Sequence, residues 1–100
     1  MKKIQSISIM FPLYKDSRTV KKMIIKSLKV LKTLAERYEI VIVDDGCPEK
    51  SGLLAKNFSK NIKKVKVIFH KQKLGYGSAS KTGLKNCKYQ WIFQTDGDAE

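Results

Sequence analysis

The hydrophobic residues of this chain switch repeatedly between two spacings, and this alternation constrains the fold more than any other feature. In the first segment Ile7, Ile9 and Phe11 alternate with less apolar residues, which is the period of a β-strand. Over residues 20–35 the apolar positions recur every three or four residues with lysines between them, which predicts a long amphipathic helix. Repeated along the chain, the switch predicts the order β-α-β-α-β-α-β. That order is typical of an α/β fold, a parallel sheet with flanking helices and right-handed crossovers.

The later segments complete this order. The β-branched run at residues 39–43 predicts a strand buried on both faces, as inside a parallel sheet. A third strand is predicted at residues 65–69 and a fourth at 89–95, with Trp91 and Phe93 in the core. The remaining apolar periodicities predict helices over residues 51–59 and 78–87. At 100 residues, the chain is one domain spanning 1–100.

The charge balance favours anionic partners, whereas the scarcity of arginine argues against nucleic acid. Lys and Arg number 21 against 9 Asp and Glu, a formal net charge of +12. Nineteen of these cations are lysines, and only Arg18 and Arg37 offer the forked guanidinium that suits phosphate and base contacts. A nucleic-acid-binding domain is therefore the least supported interpretation, and we expect no nucleic-acid partner.

Cysteine and histidine content excludes several other classes. Cys47 and Cys87 are far apart, and His70 is the only histidine, so neither a zinc finger nor a disulfide scaffold is indicated. The apolar runs are too short for a membrane helix, and the amino terminus lacks a small-residue cleavage site. We expect a cytoplasmic protein, at the cytoplasmic face of a membrane if a longer parent chain carries an anchor.

Acids and glycines follow three of the four predicted strands. In parallel sheets ligands bind beyond the carboxyl ends of the strands, where the strand order reverses. After the fourth strand come Asp96 and Asp98, separated by Gly97. Two such carboxylates suit Mg²⁺ or Mn²⁺ together with the oxygens of a substrate diphosphate. An ordinary Asp-Gly turn would account for the same residues.

Two other strand ends carry candidate nucleotide contacts. Asp44 and Asp45 follow a buried strand, where a carboxylate can accept hydrogen bonds from a nucleobase imide or a ribose hydroxyl. A helix cap followed by a glycine turn is the simpler explanation. Pro12, Tyr14 and Asp16 place a ring and a carboxylate after the first strand. The ring suits packing on a base or sugar, or else it is a core-edge residue beside a helix-capping Asp16.

A glycine loop precedes the third predicted helix. Small residues around Gly75 and Gly77 free backbone N–H groups at a helix amino terminus, which suits a phosphate. The loop half matches GxGxxG, with Ser80 in the third glycine's place and Asp96 as a candidate ribose-binding acid. The alternative function is therefore a non-enzymatic, Rossmann-like module that binds a nucleotide or dinucleotide through the Gly75–Gly77 loop.

Four motifs, taken in their order along the chain, resemble those of the nucleotide-binding half of family 2 glycosyltransferases. The resemblance covers nearly the whole chain. The sequences at residues 76–83 and 95–98 are most similar to those of polyprenyl- and dolichyl-phosphate sugar synthases. The matching residues are Pro12-Tyr14-Asp16, Val43-Asp44-Asp45-Gly46, Gly75-Gly77-Ala79-Gly83 and Thr95-Asp96-Gly97-Asp98.

The resemblance implies the amino-terminal part of a nucleotide-diphospho-sugar transferase fold, which is a parallel Rossmann-like sheet with flanking helices. It also implies a role for each matching residue. Asp45, with Asp44 beside it, is expected to bind the base, and the segment from residue 75 to 83 to pass near the nucleotide. Asp96 is expected to contact the ribose or sugar, and Asp98, with Asp96 beside it, to hold Mg²⁺ or Mn²⁺. The base and ribose pocket would be lined by Pro12, Tyr14 and Asp16.

The implied reaction is inverting transfer of a sugar from a UDP- or GDP-linked donor to an acceptor hydroxyl, a glycan or a polyprenyl phosphate. In the family the acceptor side and the usual catalytic base lie in a second half, so we expect this chain to be truncated and inactive alone. We also expect exposed sheet edges and self-association. Lys15, Cys47 and Lys73 depart from the usual Asn, Ser and Asn, without removing a charge that the chemistry needs.

Overall fold

The chain folds as a four-stranded sheet with helices on both faces. A computed structural model describes residues 3–13, 20–46 and 51–94. The predicted element order is confirmed within these ranges. Its members are β1 (Ile4–Leu13), α1 (Val20–Leu34), β2 (Ala35–Asp44), α2 (Ser51–Phe58), β3 (Val65–Phe69), α3 (Tyr76–Asn86) and β4 (Ile92–Gln94).

All strand pairs in the sheet are parallel, and the strand order is β3-β2-β1-β4. The chain runs outward from β1 through β2 to β3, then returns to place β4 on the other side of β1. The β1–β4 boundary is therefore the point where the strand order reverses. In open parallel sheets this reversal, at the carboxyl ends of the strands, is where ligands bind.

The larger core lies between one face of the sheet and the helices α1 and α2. Alternate residues of β1, from Ile7 to Leu13, point into it, because successive side chains of a strand face opposite sides. From α1 it receives Val20, Met23, Ile24 and Leu31, which match the predicted apolar stripe. Burying each such side chain stabilises the fold by roughly 1.5–3 kcal/mol.

No helix within the described ranges is long and apolar enough to cross a membrane.

The opposite face is covered by α3 over a smaller core. Met10, Val41, Val43 and Ala79 are fully buried there. Gly83 lies over the Met10 side chain, and a Cβ at this glycine would overlap the terminal methyl of Met10. The missing side chain thus lets α3 approach the sheet closely.

The fourth strand differs most from its prediction. The predicted strand ran from residue 89 to residue 95, whereas β4 begins at Ile92, and Thr95 lies outside the described residues. The expectation that Trp91 and Phe93 are core residues is wrong: they are 67% and 57% exposed. The cause is position, because β4 is an edge strand with β1 as its sheet neighbour. The start of β2 also moves, to Ala35, because parallel pairing with β1 begins at Ile4↔Ala35.

Candidate functional site

Backbone hydrogen bonds extend the ladder past the carboxyl ends of three strands. The Asp45 N–H donates to the Leu13 carbonyl oxygen at 3.2 Å, and the His70 N–H donates to the Asp44 carbonyl oxygen at 2.8 Å. These bonds hold Asp45 and His70 side by side at the edge where the sequence predicted ligand contacts. Asp44 and Asp45 are both buried, at 5% and 4% exposure.

The Asp45 carboxylate organises the loop that leads into α3. Its Oδ1 accepts a hydrogen bond from the Leu74 N–H at 2.9 Å, and its Oδ2 accepts one from the Gly75 N–H at 3.0 Å. Oδ1 also lies 2.8 Å from His70 Nδ1. One side chain at the end of β2 thereby fixes the backbone immediately before α3.

His70 connects this carboxylate to the body of α3. Because an ionised carboxylate only accepts hydrogen bonds, Nδ1 carries the proton and donates to Asp45. In the neutral ring Nε2 then accepts from the Thr82 hydroxyl, whose Oγ1 lies 2.8 Å away. The His70 side chain is 8% exposed. Neither His70 nor Thr82 was predicted from the sequence as a site residue.

The Asp45 carboxyl is held in its charged form. Burial raises its pKa, but hydrogen bonds from His70, Leu74 and Gly75 outweigh burial and bring the pKa below the ordinary aspartate value. Hydrogen bonds to the charged form therefore decide the balance, and the carboxylate is a permanent acceptor at neutral pH.

We expect acid to destabilise the chain through this carboxyl. A carboxyl whose pKa is lower in the folded state contributes stability above its unfolded pKa of about 4, and loses it as the pH falls through the lower folded value. The free energy of unfolding, measured by urea titration between pH 7 and pH 2.5, should fall below about pH 4. The decline should be shallower in Asp45→Asn and unchanged in Glu36→Gln, which alters an exposed carboxyl. Equal declines in the two variants would contradict the assignment.

Gly46 allows the loop to cross directly over the end of β2. Its φ of 69° lies in the left-handed region that favours glycine. A Cβ at this position would lie 2.6 Å from the Gln72 carbonyl carbon and would overlap the Lys73 backbone nitrogen. The absence of a side chain at residue 46 is therefore a condition for the path of residues 72–75.

The amino terminus of α3 opens at this same edge. Gly75, with φ 102°, starts the helix, and its carbonyl oxygen accepts the Ala79 N–H at 3.0 Å. Among the residues described, no side chain caps this end. The first N–H groups of a helix have no intrahelical acceptor, so they can bind an anion such as a phosphate. Gly77, in the first turn, is exposed, and a Cβ there would meet open space.

The structure brings part of the predicted site together. Asp44, Asp45 and Gly75 meet at the carboxyl edge, and Pro12 lies half-buried near the end of β1, in register with Val43. Four other predicted site residues lie outside the described ranges: Tyr14, Asp16, Asp96 and Asp98. Within those ranges no cluster of three or more acidic, histidine or cysteine side chains could hold a metal ion. The metal prediction rests on residues beyond them.

Comparison with known proteins gives consistent results. A model of the family described as glycosyl transferase family 2 matches residues 8–100. The chain is 34% identical over 95 residues to the uncharacterized glycosyltransferase EpsJ of Bacillus subtilis, covering 95% of this chain and 26% of that protein. It is 26% identical to the dolichyl-phosphate beta-glucosyltransferase ALG5A of Trichomonas vaginalis, covering 92% of this chain and 30% of that protein. The chain thus spans between a quarter and a third of these relatives.

Solved structures share the fold. The mannosyltransferase PcManGT from Pyrobaculum calidifontis, in complex with GDP-Man and Mn²⁺, superposes with a TM-score of 0.78 at 14% identity, over 93% of this chain and 27% of that one. TarS of S. aureus superposes with a TM-score of 0.73 at 22% identity, over 94% and 28%. The predicted Rossmann-like sheet of a sugar-nucleotide transferase is confirmed as the fold. Since the family model covers nearly every residue, the chain belongs to glycosyl transferase family 2.

Proposed function

We propose that this chain forms the donor site of a glycosyltransferase, binding a nucleoside-diphosphate sugar together with a divalent cation. The observation that carries the proposal is the loop of residues 72–75, which Asp45 holds by hydrogen bonds so that the amino terminus of α3 lies at the carboxyl edge of the sheet. A helix amino terminus with glycine neighbours suits the diphosphate of the donor. The net charge of +12 favours the same anionic ligand.

In this proposal Asp45 serves the site mainly by holding the loop. A carboxylate can accept about four hydrogen bonds, and three donors within the chain already point at Asp45. One acceptor position is then left for a nucleobase imide, the contact that the family resemblance implies. Asp44, the last residue of β2, and Pro12, near the end of β1, lie at the same edge of the sheet, and Tyr14 and Asp16 follow β1 in sequence.

The cation would be held by Asp98, with Asp96 beside it, and would be Mg²⁺ or Mn²⁺. A bound divalent ion neutralises the charge that grows on the nucleoside-diphosphate leaving group. The choice of ion is supported by carboxylate chemistry and by the Mn²⁺ in the complex of PcManGT.

The acceptor side is the least constrained part of the proposal. Relatives carry the names of transferases for undecaprenyl phosphate and dolichyl phosphate, which supports a polyprenyl phosphate acceptor here. Transfer would invert the anomeric carbon and would require a general base from outside this chain. A location at the cytoplasmic face of a membrane would suit such an acceptor.

Calorimetric titration of UDP and GDP, each with Mn²⁺ and with EDTA, tests the proposal. We expect one of the two nucleotides to bind in the presence of Mn²⁺ and to lose about tenfold or more in affinity with EDTA, because two anionic phosphates then lack their cation. Asp98→Ala should remove the Mn²⁺-dependent part of the affinity.

Glu36→Ala is the matched control for that titration. It also removes one carboxylate, but from an exposed position near the start of β2, and should leave binding unchanged. Binding of NAD without any metal requirement, and of neither UDP nor GDP, would favour the dinucleotide module instead. A folded protein that binds none of the three would contradict both functions.

A further inference from the structure

A basic cavity lies at the other end of the sheet, away from the candidate donor site. Its volume is about 410 Å³, and it opens where β3 begins and where the chain leaves α3. Four lysines, two tyrosines and one buried acid line it: Lys63, Lys64, Lys66, Lys88, Tyr38, Tyr89 and Glu39. Neither the family motifs nor the donor-site proposal uses any of these residues.

A buried carboxylate anchors the wall of this cavity. Glu39 on β2 is 4% exposed, and its Oε2 accepts hydrogen bonds from the Ser8 hydroxyl and from the Lys88 N–H, both at 2.6 Å. The Tyr89 N–H donates in turn to Ser8 Oγ at 3.3 Å. Residues 88 and 89 are thereby tied to the sheet, so the cavity has a fixed wall rather than a loose surface segment.

The charges in the cavity do not cancel. Glu39 Oε1 lies 3.3 Å from Lys66 Nζ, so this one acid and one lysine neutralise each other. Among the described residues no carboxylate forms a salt bridge with Lys63, Lys64 or Lys88. Three cations around one half-enclosed space repel one another, and a bound anion would relieve that repulsion.

Two aromatic rings restrain two of the unpaired amines. Lys64 Nζ lies 4.2 Å from the centre of the Tyr38 ring, and Lys88 Nζ lies 5.1 Å from that of Tyr89. A cation over a ring face gains about 0.5–1 kcal/mol at exposed sites without losing its charge. The amines are thus partly ordered while their hydrogen-bond donors remain available to an oxyanion.

From this arrangement we infer a second anion site, in which Lys63, Lys64 and Lys88 bind a phosphate or diphosphate group. The cavity admits a group of that size, the three lysines that line it can supply ammonium donors, and Glu39 holds the wall by bonding to the Lys88 N–H and, through Ser8, to residue 89. The group is either a free phosphate compound or the headgroup of a phospholipid. The inference does not depend on the donor site, since the two lie at opposite ends of the strands.

Pyrophosphate titration followed by amide NMR spectra tests the inference, with the triple variant Lys63→Gln/Lys64→Gln/Lys88→Gln. Pyrophosphate should shift the Lys88 and Tyr89 amide resonances, and the triple variant should weaken its binding about tenfold or more by removing three nearby cations. The control triple Lys22→Gln/Lys26→Gln/Lys29→Gln removes the same charge from the exposed side of α1 and should change the affinity less than about twofold, because salt screens distant charges. All six lysines are exposed, so both variants should fold.

Vesicles distinguish the two sources of phosphate. If pyrophosphate binds while vesicles of phosphatidylglycerol and phosphatidylcholine do not, the ligand is a free phosphate compound. If vesicle binding needs the three cavity lysines and pyrophosphate competes with it, the ligand is a headgroup. Equal losses in the two triple variants, shifts confined to Leu74 and Gly75, or binding of neither probe would overturn the inference.

Discussion

Replacing Asp45 with alanine is expected to lower the free energy of unfolding by about 2–4 kcal/mol, since hydrogen bonds to a charged group contribute roughly 1.5–3 kcal/mol each and water replaces them only in part. Three donors converge on this carboxylate, from His70, Leu74 and Gly75. The loss should also be local, because two of the donors are the amides that enter α3. We therefore expect hydrogen exchange at the Leu74 and Gly75 amides to accelerate more than exchange in the middle of β1.

A double-mutant cycle with His70→Ala shows whether the contact itself is responsible. The two residues touch, so their effects should be non-additive by about 0.5–3 kcal/mol. Glu36→Ala, which removes an exposed acid of β2, should change stability by less than about 0.5 kcal/mol. Additive effects of Asp45→Ala and His70→Ala, together with unchanged amide protection at Gly75, would show that the carboxylate does not hold the loop.

Gly46→Ala should destabilise the chain by about 3 kcal/mol, from two causes that reinforce each other. The left-handed φ of 69° costs an alanine roughly 1–2 kcal/mol. The new methyl group also overlaps backbone atoms of Gln72 and Lys73, which cannot swing away as the tip of a flexible side chain would. Relief requires the loop to move, so Asp45 would lose its bonds to Leu74 and Gly75 as well.

The matched control is Gly77→Ala, for which the opposite sign is expected. Gly77 lies in the first turn of α3, and a Cβ there meets no atom within 4 Å. Alanine is a better helix former than glycine by roughly 0.5–1 kcal/mol, so this variant should unfold at the same or a slightly higher temperature. Gly46→Ala should unfold about 12–24 °C lower, given 4–8 °C per kcal/mol for a domain of this size. A Gly46→Ala protein as stable as the parent would mean that residues 72–75 take another path.

The interior of the sheet could be predicted from sequence because its physical signal is local. β3 has the predicted bounds, and the run of β-branched residues in β2 is buried on both faces as expected. The edge strand could not be predicted in the same way. An apolar triplet such as Trp91-Ile92-Phe93 looks alike whether or not another element covers it, and here both aromatic rings are exposed. Whether these side chains are buried depends on neighbouring elements, which the residues of the triplet do not determine.

The candidate site, like the sheet, could be predicted from sequence only in part. Asp44, Asp45 and Gly75 were predicted because they follow strands, and ligands bind beyond the carboxyl ends of the strands in parallel sheets. The partnership of Asp45 with His70 and Thr82 depends on the path of residues 70–75, which the conformation at Gly46 decides. The Glu39 contacts were missed for a related reason. They arise because Ser8 is paired with Glu39 in the parallel register, and register is not visible in a strand's own residues.

The position of Ser8 between two strands also bears on how the chain assembles. Its contact with Glu39 joins residues 31 positions apart, whereas its contact with Tyr89 joins residues 81 positions apart. Closing the longer loop costs about 1 kcal/mol more chain entropy, so the β1-α1-β2 unit should form first and offer a finished strand to β4. Substitutions between β1 and β2 should then slow folding, while those around Tyr89 should mainly speed unfolding. The wall formed by residues 88 and 89 would be completed in the last step, so hydrogen-exchange protection of the Tyr89 amide, which donates to Ser8, would report that the whole chain has folded.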